Sequence, residues 1–241
     1  MHGLIFKELY ENRKWLIFTY VTILGMFVIQ SLFFWLGVIK GEQAVMLAAA
    51  GSQLIAMIFA QTLNTMIFAY DERRLWAGFI TSTPLAARGQ VKSKYILVIL
   101  NLMTAFSLCL IFDMVSCALC KDVQGSSAIT MLFLWLLILM EAIEIPFITR
   151  FGNKKGNNIR AYIFIGILFI VIVYALFGDI SFFTGEKDIY DWMHQLIKGE
   201  IGEREMIWIH ALFPYISVGA YFLSYHISCK LYQKGAESYE A

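Results

Sequence analysis

The sequence predicts an all-α, polytopic membrane protein with six transmembrane helices, carried as a single transmembrane domain over residues 1–241. Two observations predict it. Of the 241 residues, 59% are hydrophobic and only 15% charged, with a mean hydropathy of +0.67; soluble domains carry about 25% charged residues. The apolar residues also fall into six runs, each close to the roughly 20 residues needed to cross the hydrocarbon core. This composition excludes a disordered chain, a disulfide scaffold and an ordinary soluble enzyme. A net charge of +1 without a basic run excludes nucleic-acid binding.

The predicted spans are residues 15–39, 44–70, 96–119, 128–149, 160–178 and 207–228. Before the first, residues 3–14 read as an amphipathic helix on the inner face. Leu4, Ile5, Leu9 and Phe6 are expected on lipid, with Lys7, Glu8, Glu11 and Arg13 in water. Between spans five and six, Ile189, Trp192, Met193, Leu196 and Ile197 repeat at helical spacing, with Asp188 placed as N-cap and Gly199 as C-cap. They predict a second amphipathic helix, on the outer interface. No cleavable leader is read at the N-terminus.

Orientation follows from the basic residues. With the N-terminus inside, the inner segments hold fourteen of the nineteen lysines and arginines and the outer segments five. Both termini are therefore expected in the cytoplasm, and the 71–95 segment with them.

Three acids fall inside spans: Asp113, Glu141 and Glu144. Carboxylates in hydrocarbon are costly and mark function by default. Glu141 and Glu144 are three apart and share a helix face, so they either relay a proton, meet a cationic substrate, or pair with a neighbouring helix. Span two carries a polar stripe through Gln53, Gln61 and Asn64, and span three a lesser one beginning at Asn101. Amides in a span either bond across a helix interface or line an aqueous path. Gln53, Gln61, Asn64, Asn101 and Asp113 are the path candidates.

Several chemistries are absent from the sequence. There is no Gly-x-x-x-x-Gly-Lys-[Ser/Thr] to cradle a nucleotide and no His-Glu-x-x-His. The four cysteines read as small apolar residues, and no metal or catalytic set is expected. An intramembrane glutamate protease built on Glu141 and Glu144 was the enzymatic alternative. It is disfavoured because the glutamates are not adjacent and His210 has no polar companion.

The segment after span two runs Asp71-Glu72-Arg73-Arg74-Leu75-Trp76-Ala77-Gly78-Phe79-Ile80-Thr81-Ser82-Thr83-Pro84-Leu85, then Arg88 and Lys94-Tyr95. It resembles the stretch of ABC-2-type transporter permeases in which an acid closes span two and a short helix leads to a Ser/Thr-x-Pro break. A basic residue and Lys-Tyr then open the next span. Pro146-Phe147-Ile148-Thr149-Arg150-Phe151-Gly152-Asn153-Lys154-Lys155 resembles their Pro…Phe-Gly…Lys after span four. Among such permeases, the membrane subunits of phenol-soluble modulin exporters are similar; span four is more acidic here than that pattern.

The resemblance implies the transmembrane subunit of a bacterial ABC exporter in the cell membrane, moving amphipathic or hydrophobic cargo such as a peptide. It implies a separate ABC ATPase subunit carrying ATP and Mg, and no cofactor on this chain. It makes 71–95 the coupling segment, with Glu72, Arg73, Leu75, Trp76, Phe79 and Ile80 as ATPase-coupling residues. It also implies pairing with a second copy in a homodimer or with a similar permease. A membrane scaffold or sensor that moves nothing is the alternative from a different class.

Overall fold

The computed structural model describes residues 2–39, 41–73, 86–120, 127–177 and 211–238. These form six helices: α1 His2–Trp35, α2 Glu42–Arg73, α3 Ala86–Leu119, α4 Ser127–Phe151, α5 Asn153–Phe177 and α6 Phe213–Ser238. The described residues contain no strand. Among the described residues, four helical stretches are long and apolar enough to cross a membrane: Gly3–Trp35, Ala44–Phe68, Arg88–Leu119 and Ile129–Phe151. The chain is thus a multi-pass, all-helical membrane protein.

Pairs of contacts fix the relative directions. Tyr20 meets Asn101 and Phe27 stacks on Phe112 at 4.3 Å, so α1 and α3 run parallel. Gln53 meets Asp113 while Asn64 meets Asn101, so α2 runs antiparallel to α3. The pairs Gln53–Thr130 and Asn64–Glu141 set α4 parallel to α2. The N-terminal end of the bundle therefore holds His2, Arg73, Ala86 and Phe151, and the far end holds Trp35, Glu42, Leu119 and Ser127. Helix α6 packs on α4 and α3, and α5 folds back on α4.

The core is apolar and contains small residues where helices approach: Ala49, Ala56, Ala60 and Ala105 are buried beside Ile23, Met57, Leu102 and Leu134. Lipid tails are as apolar as leucine, so packing and interhelical hydrogen bonds hold such a bundle. Large apolar side chains such as Val21, Val28, Leu100 and Met114 are exposed on its outside, as a lipid-facing surface requires. Toward the far end an apolar groove of about 400 Å³ runs between α1 and α3, walled by Leu24, Val28, Leu32, Leu108 and Ile111.

The boundaries differ from the sequence expectation for local reasons. Span one was expected to reach 39, but α1 stops at Trp35. Gly37 adopts φ 64°, with Gly37 N–H donating to the Phe34 carbonyl (3.1 Å) and Val38 N–H to Phe33 (3.0 Å). That is a Schellman cap, which a glycine at C′ permits. The apolar run continues past it, so hydropathy alone misses the stop.

At its start α1 runs unbroken from His2, without the separate inner helix expected over 3–14. Glu8, expected in water, is 0% exposed. Its Oε1 accepts from Gln90 Nε2 at 3.0 Å and lies 3.5 Å from Lys7 Nζ. The periodicity of α1 contains no sign of α3, whose described N-terminal turns supply Gln90.

Three other helices outrun their predicted spans: α3 is helical from Ala86, α5 begins at Asn153, and α6 continues to Ser238. The predicted outer amphipathic helix lies outside the described residues.

Candidate functional site

Two polar nodes lie inside the bundle, at different heights. Both are built from residues that spacing puts on inward faces. On α2, Gln53, Met57, Asn64 and Phe68 face inward and are all buried. Gln61, the remaining candidate in that stripe, is half-buried at its edge and belongs to neither node.

The node nearer the N-terminal end joins four helices. Tyr20 Oη on α1 donates to Asn101 Oδ1 on α3 at 2.6 Å. Asn101 Nδ2 donates to the Ala60 carbonyl at 2.7 Å and to Asn64 Oδ1 on α2 at 2.8 Å. Asn64 Nδ2 then donates to Glu141 Oε1 on α4 at 2.8 Å. Each link donates in the same sense, toward the carboxylate, so the dipoles add and converge on Glu141.

Glu144 lies one turn along α4 and is also buried. On α3, the buried Lys94 donates to the Ile67 carbonyl at 3.1 Å and sits 4.6 Å from the Phe68 ring centre.

The far node is smaller. Gln53 Nε2 donates to Asp113 Oδ1 at 3.2 Å, and its Oε1 accepts from Thr130 Oγ1. Among the described residues it joins α2, α3 and α4 and does not include α1. Asn64 lies eleven residues along α2 from Gln53, about 16 Å at about 1.5 Å per residue. Met57, Ala60, Leu102 and Ala105 fill the space between as buried apolar residues. The two nodes are therefore separate.

The sequence reading missed several partners. Tyr20 and Thr130 lie in mainly apolar spans and carry no periodic signal. A second cluster did carry one. On α6, Ser217, Tyr221, Ser224 and Ser228 repeat at +4, +7 and +11 on one face. Tyr95 Oη lies 2.6 Å from Ser224 Oγ and 2.8 Å from Ser228 Oγ, and Tyr221 Oη donates to the Tyr95 carbonyl at 2.8 Å. Ser217 Oγ donates to the Trp135 carbonyl at 2.9 Å. This cluster pins α6 to α3 and α4.

Of the ATPase-coupling residues, Glu72 and Arg73 lie in the last turn of α2, in backbone only. Leu75, Trp76, Phe79 and Ile80 lie outside the described residues. Helix α2 runs into this segment and α3 leads out of it, and both carry members of both nodes. Among the described residues no group of three or more His, Cys, Asp or Glu is placed to hold a metal ion.

A family model described as an ABC-2 family transporter protein matches residues 3–233. The chain belongs to this family. As an ABC-2 transporter protein it is the membrane part of an ABC transporter, and the family implies partnership with an ABC ATPase subunit. No curated protein and no solved structure matches the chain. In this ABC-2 protein the match spans all six described helices and the 71–95 segment between α2 and α3.

Proposed function

We propose that this chain is the transmembrane subunit of an ATP-driven exporter that moves amphipathic or hydrophobic cargo, a peptide above all, across the bacterial cell membrane. Two copies form the path, and separate ATPase subunits bind ATP and Mg and perform the hydrolysis. The chain spans the membrane six times: α5 and α6 supply spans five and six, and both termini lie in the cytoplasm. The family match over residues 3–233 carries this reading. It is supported by a sequence without a nucleotide-binding motif, by the basic residues on the inner segments, and by the resemblance to phenol-soluble modulin exporter subunits. Polar but mostly uncharged groups on the inner faces of α2 and α3 suit cargo that is amphipathic.

In this mechanism Leu75, Trp76, Phe79 and Ile80 form an apolar face that inserts into the ATPase, flanked by Glu72 and Arg73. Closure of the ATPase pair moves that segment and tilts α2 and α3. Gln53, Asn64, Asn101 and Asp113 then exchange their partners within the bundle for water and cargo, and the half-buried Gln61 lines the same path.

Aromatic anchors dominate interfaces of this kind, at about 2 kcal/mol or more each on truncation. The combined change Trp76→Ala and Phe79→Ala is expected to abolish co-purification of the ATPase while the membrane subunit still elutes as a folded species. An undiminished ATPase yield from the double variant contradicts the coupling assignment.

A further inference from the structure

The corner between α4 and α5 is one residue long. Phe151 ends α4, Gly152 turns the chain with φ 79°, and Asn153 begins α5. Gly152 N–H donates to the Ile148 carbonyl at 2.9 Å and Gly156 N–H to the Gly152 carbonyl at 2.8 Å. A Cβ on Gly156 would stand 2.8 Å from Ile148 Cα, so α5 leaves the corner in close backbone contact with α4. Charge placed on this corner is held on a stiff frame.

That charge is one-sided. Arg150, Lys154, Lys155 and Arg160 fall within eleven residues, and the sequence has no Asp or Glu between Glu144 and Asp179. The side chains of Arg150 and Lys155 are exposed, and neither takes part in an ion pair among the described residues. The N-terminus of α1 behaves differently: Lys7 has Glu8 at 3.5 Å and Glu11 at 3.6 Å, so much of its charge is met within the chain. Aromatic rings flank the corner. Phe147 and Phe151 stack at 6.4 Å, Phe151 is 48% exposed, and Tyr162, on the first turns of α5, is 74% exposed.

We propose that this corner is a binding surface for anionic lipid headgroups. The stretch Ile129–Phe151 is long and apolar enough to span the membrane and ends at the corner, which puts the cations at the depth of the phosphates. Exposed aromatic rings beside them suit the same layer. Neutral lipid offers the cations no net charge, whereas an anionic headgroup gains about fivefold in affinity per basic residue near the surface. The proposal concerns lipid alone and stands or falls separately from transport.

The test uses the purified chain with its co-purifying partner, stripped in detergent and equilibrated with equal phosphatidylglycerol and phosphatidylcholine. Retained lipid is counted by native mass spectrometry. The wild type is expected to prefer phosphatidylglycerol, and the preference to fall with added salt as charges are screened. Arg150→Gln with Lys155→Gln should lower it roughly twenty-five-fold, while Lys155→Arg leaves it in place. Equal retention of the two lipids by wild type overturns the proposal, as does an unchanged preference in the Arg150→Gln, Lys155→Gln variant. Loss of the ATPase from that variant with lipid preference intact also overturns it, and reassigns the corner to protein docking. If the variant is recovered only as aggregate, the wild-type salt series decides: a salt-insensitive preference overturns the proposal.

Discussion

The two polar nodes sit in the same bundle and use the same chemistry, yet they hold different sets of helices. The Glu141 node draws in α1 through Tyr20, and each of its amides both donates and accepts. The Asp113 node links Gln53, Asp113 and Thr130 and, among the described residues, does not reach α1. Beside the far node the α1–α3 contact is apolar, and the groove opens there. The difference teaches where directed hydrogen bonds tie the bundle and where apolar packing holds it. Near the N-terminal end, hydrogen bonds with fixed directions hold four helices together. Toward the far end α1 is held to α3 by packing alone among the described residues, as in the Phe27–Phe112 stack.

The comparison is broken most directly at its centre. Asn64→Leu removes a donor from Glu141 and an acceptor from Asn101 together, leaving a buried carboxylate with one donor fewer. The expected cost is about 2 kcal/mol, because hydrogen bonds to charged groups are worth about 1.5–3 kcal/mol. It should appear as a lowered midpoint in a thermal unfolding scan in detergent.

Gln53→Leu removes a donor from Asp113 and should cost less, about 1.5 kcal/mol, because that bond to a carboxylate is longer, 3.2 Å against 2.8 Å for Asn64–Glu141. A larger loss from Gln53→Leu than from Asn64→Leu would reverse the ranking of the nodes.

Tyr20→Phe sharpens the comparison with the smallest change, deleting only the tie to α1. About 0.6 kcal/mol is expected. In a double-mutant cycle it should couple to Asn64→Leu and not to Gln53→Leu, since coupling is confined to residues within one network.

How much of this was legible depended on whether a signal was periodic. Four spans were readable because about twenty apolar residues are their own evidence. The stripe of α2 was readable because Gln53 and Asn64 share a face. The Ser217, Tyr221, Ser224, Ser228 stripe was equally periodic and was overlooked, since hydroxyls hardly alter hydropathy. Glu8 was misassigned to water because burial came from Gln90, eighty-two positions away, and no local pattern encodes that. The end of α1 was misplaced by four residues because Gly37 lies within an apolar run, where its left-handed conformation leaves no trace in hydropathy. Asp113 and Glu141 were recognised as costly, but their partners Gln53 and Asn64 emerged only once α2 lay between α3 and α4.

The central claim is that these nodes are contacts that open during transport. Single cysteines at positions 53 and 64, in a chain lacking Cys109, Cys117, Cys120 and Cys229, test it with a polar thiol reagent. Gln53 and Asn64 are fully buried here, at 0% and 1% exposure, so both positions should be protected in the resting complex. During ATP turnover both should react, position 64 with reagent from the cytoplasmic side and position 53 with reagent from outside. Protection of both positions with and without ATP, in a complex that still transports, would contradict the account and leave the nodes as fixed helix contacts.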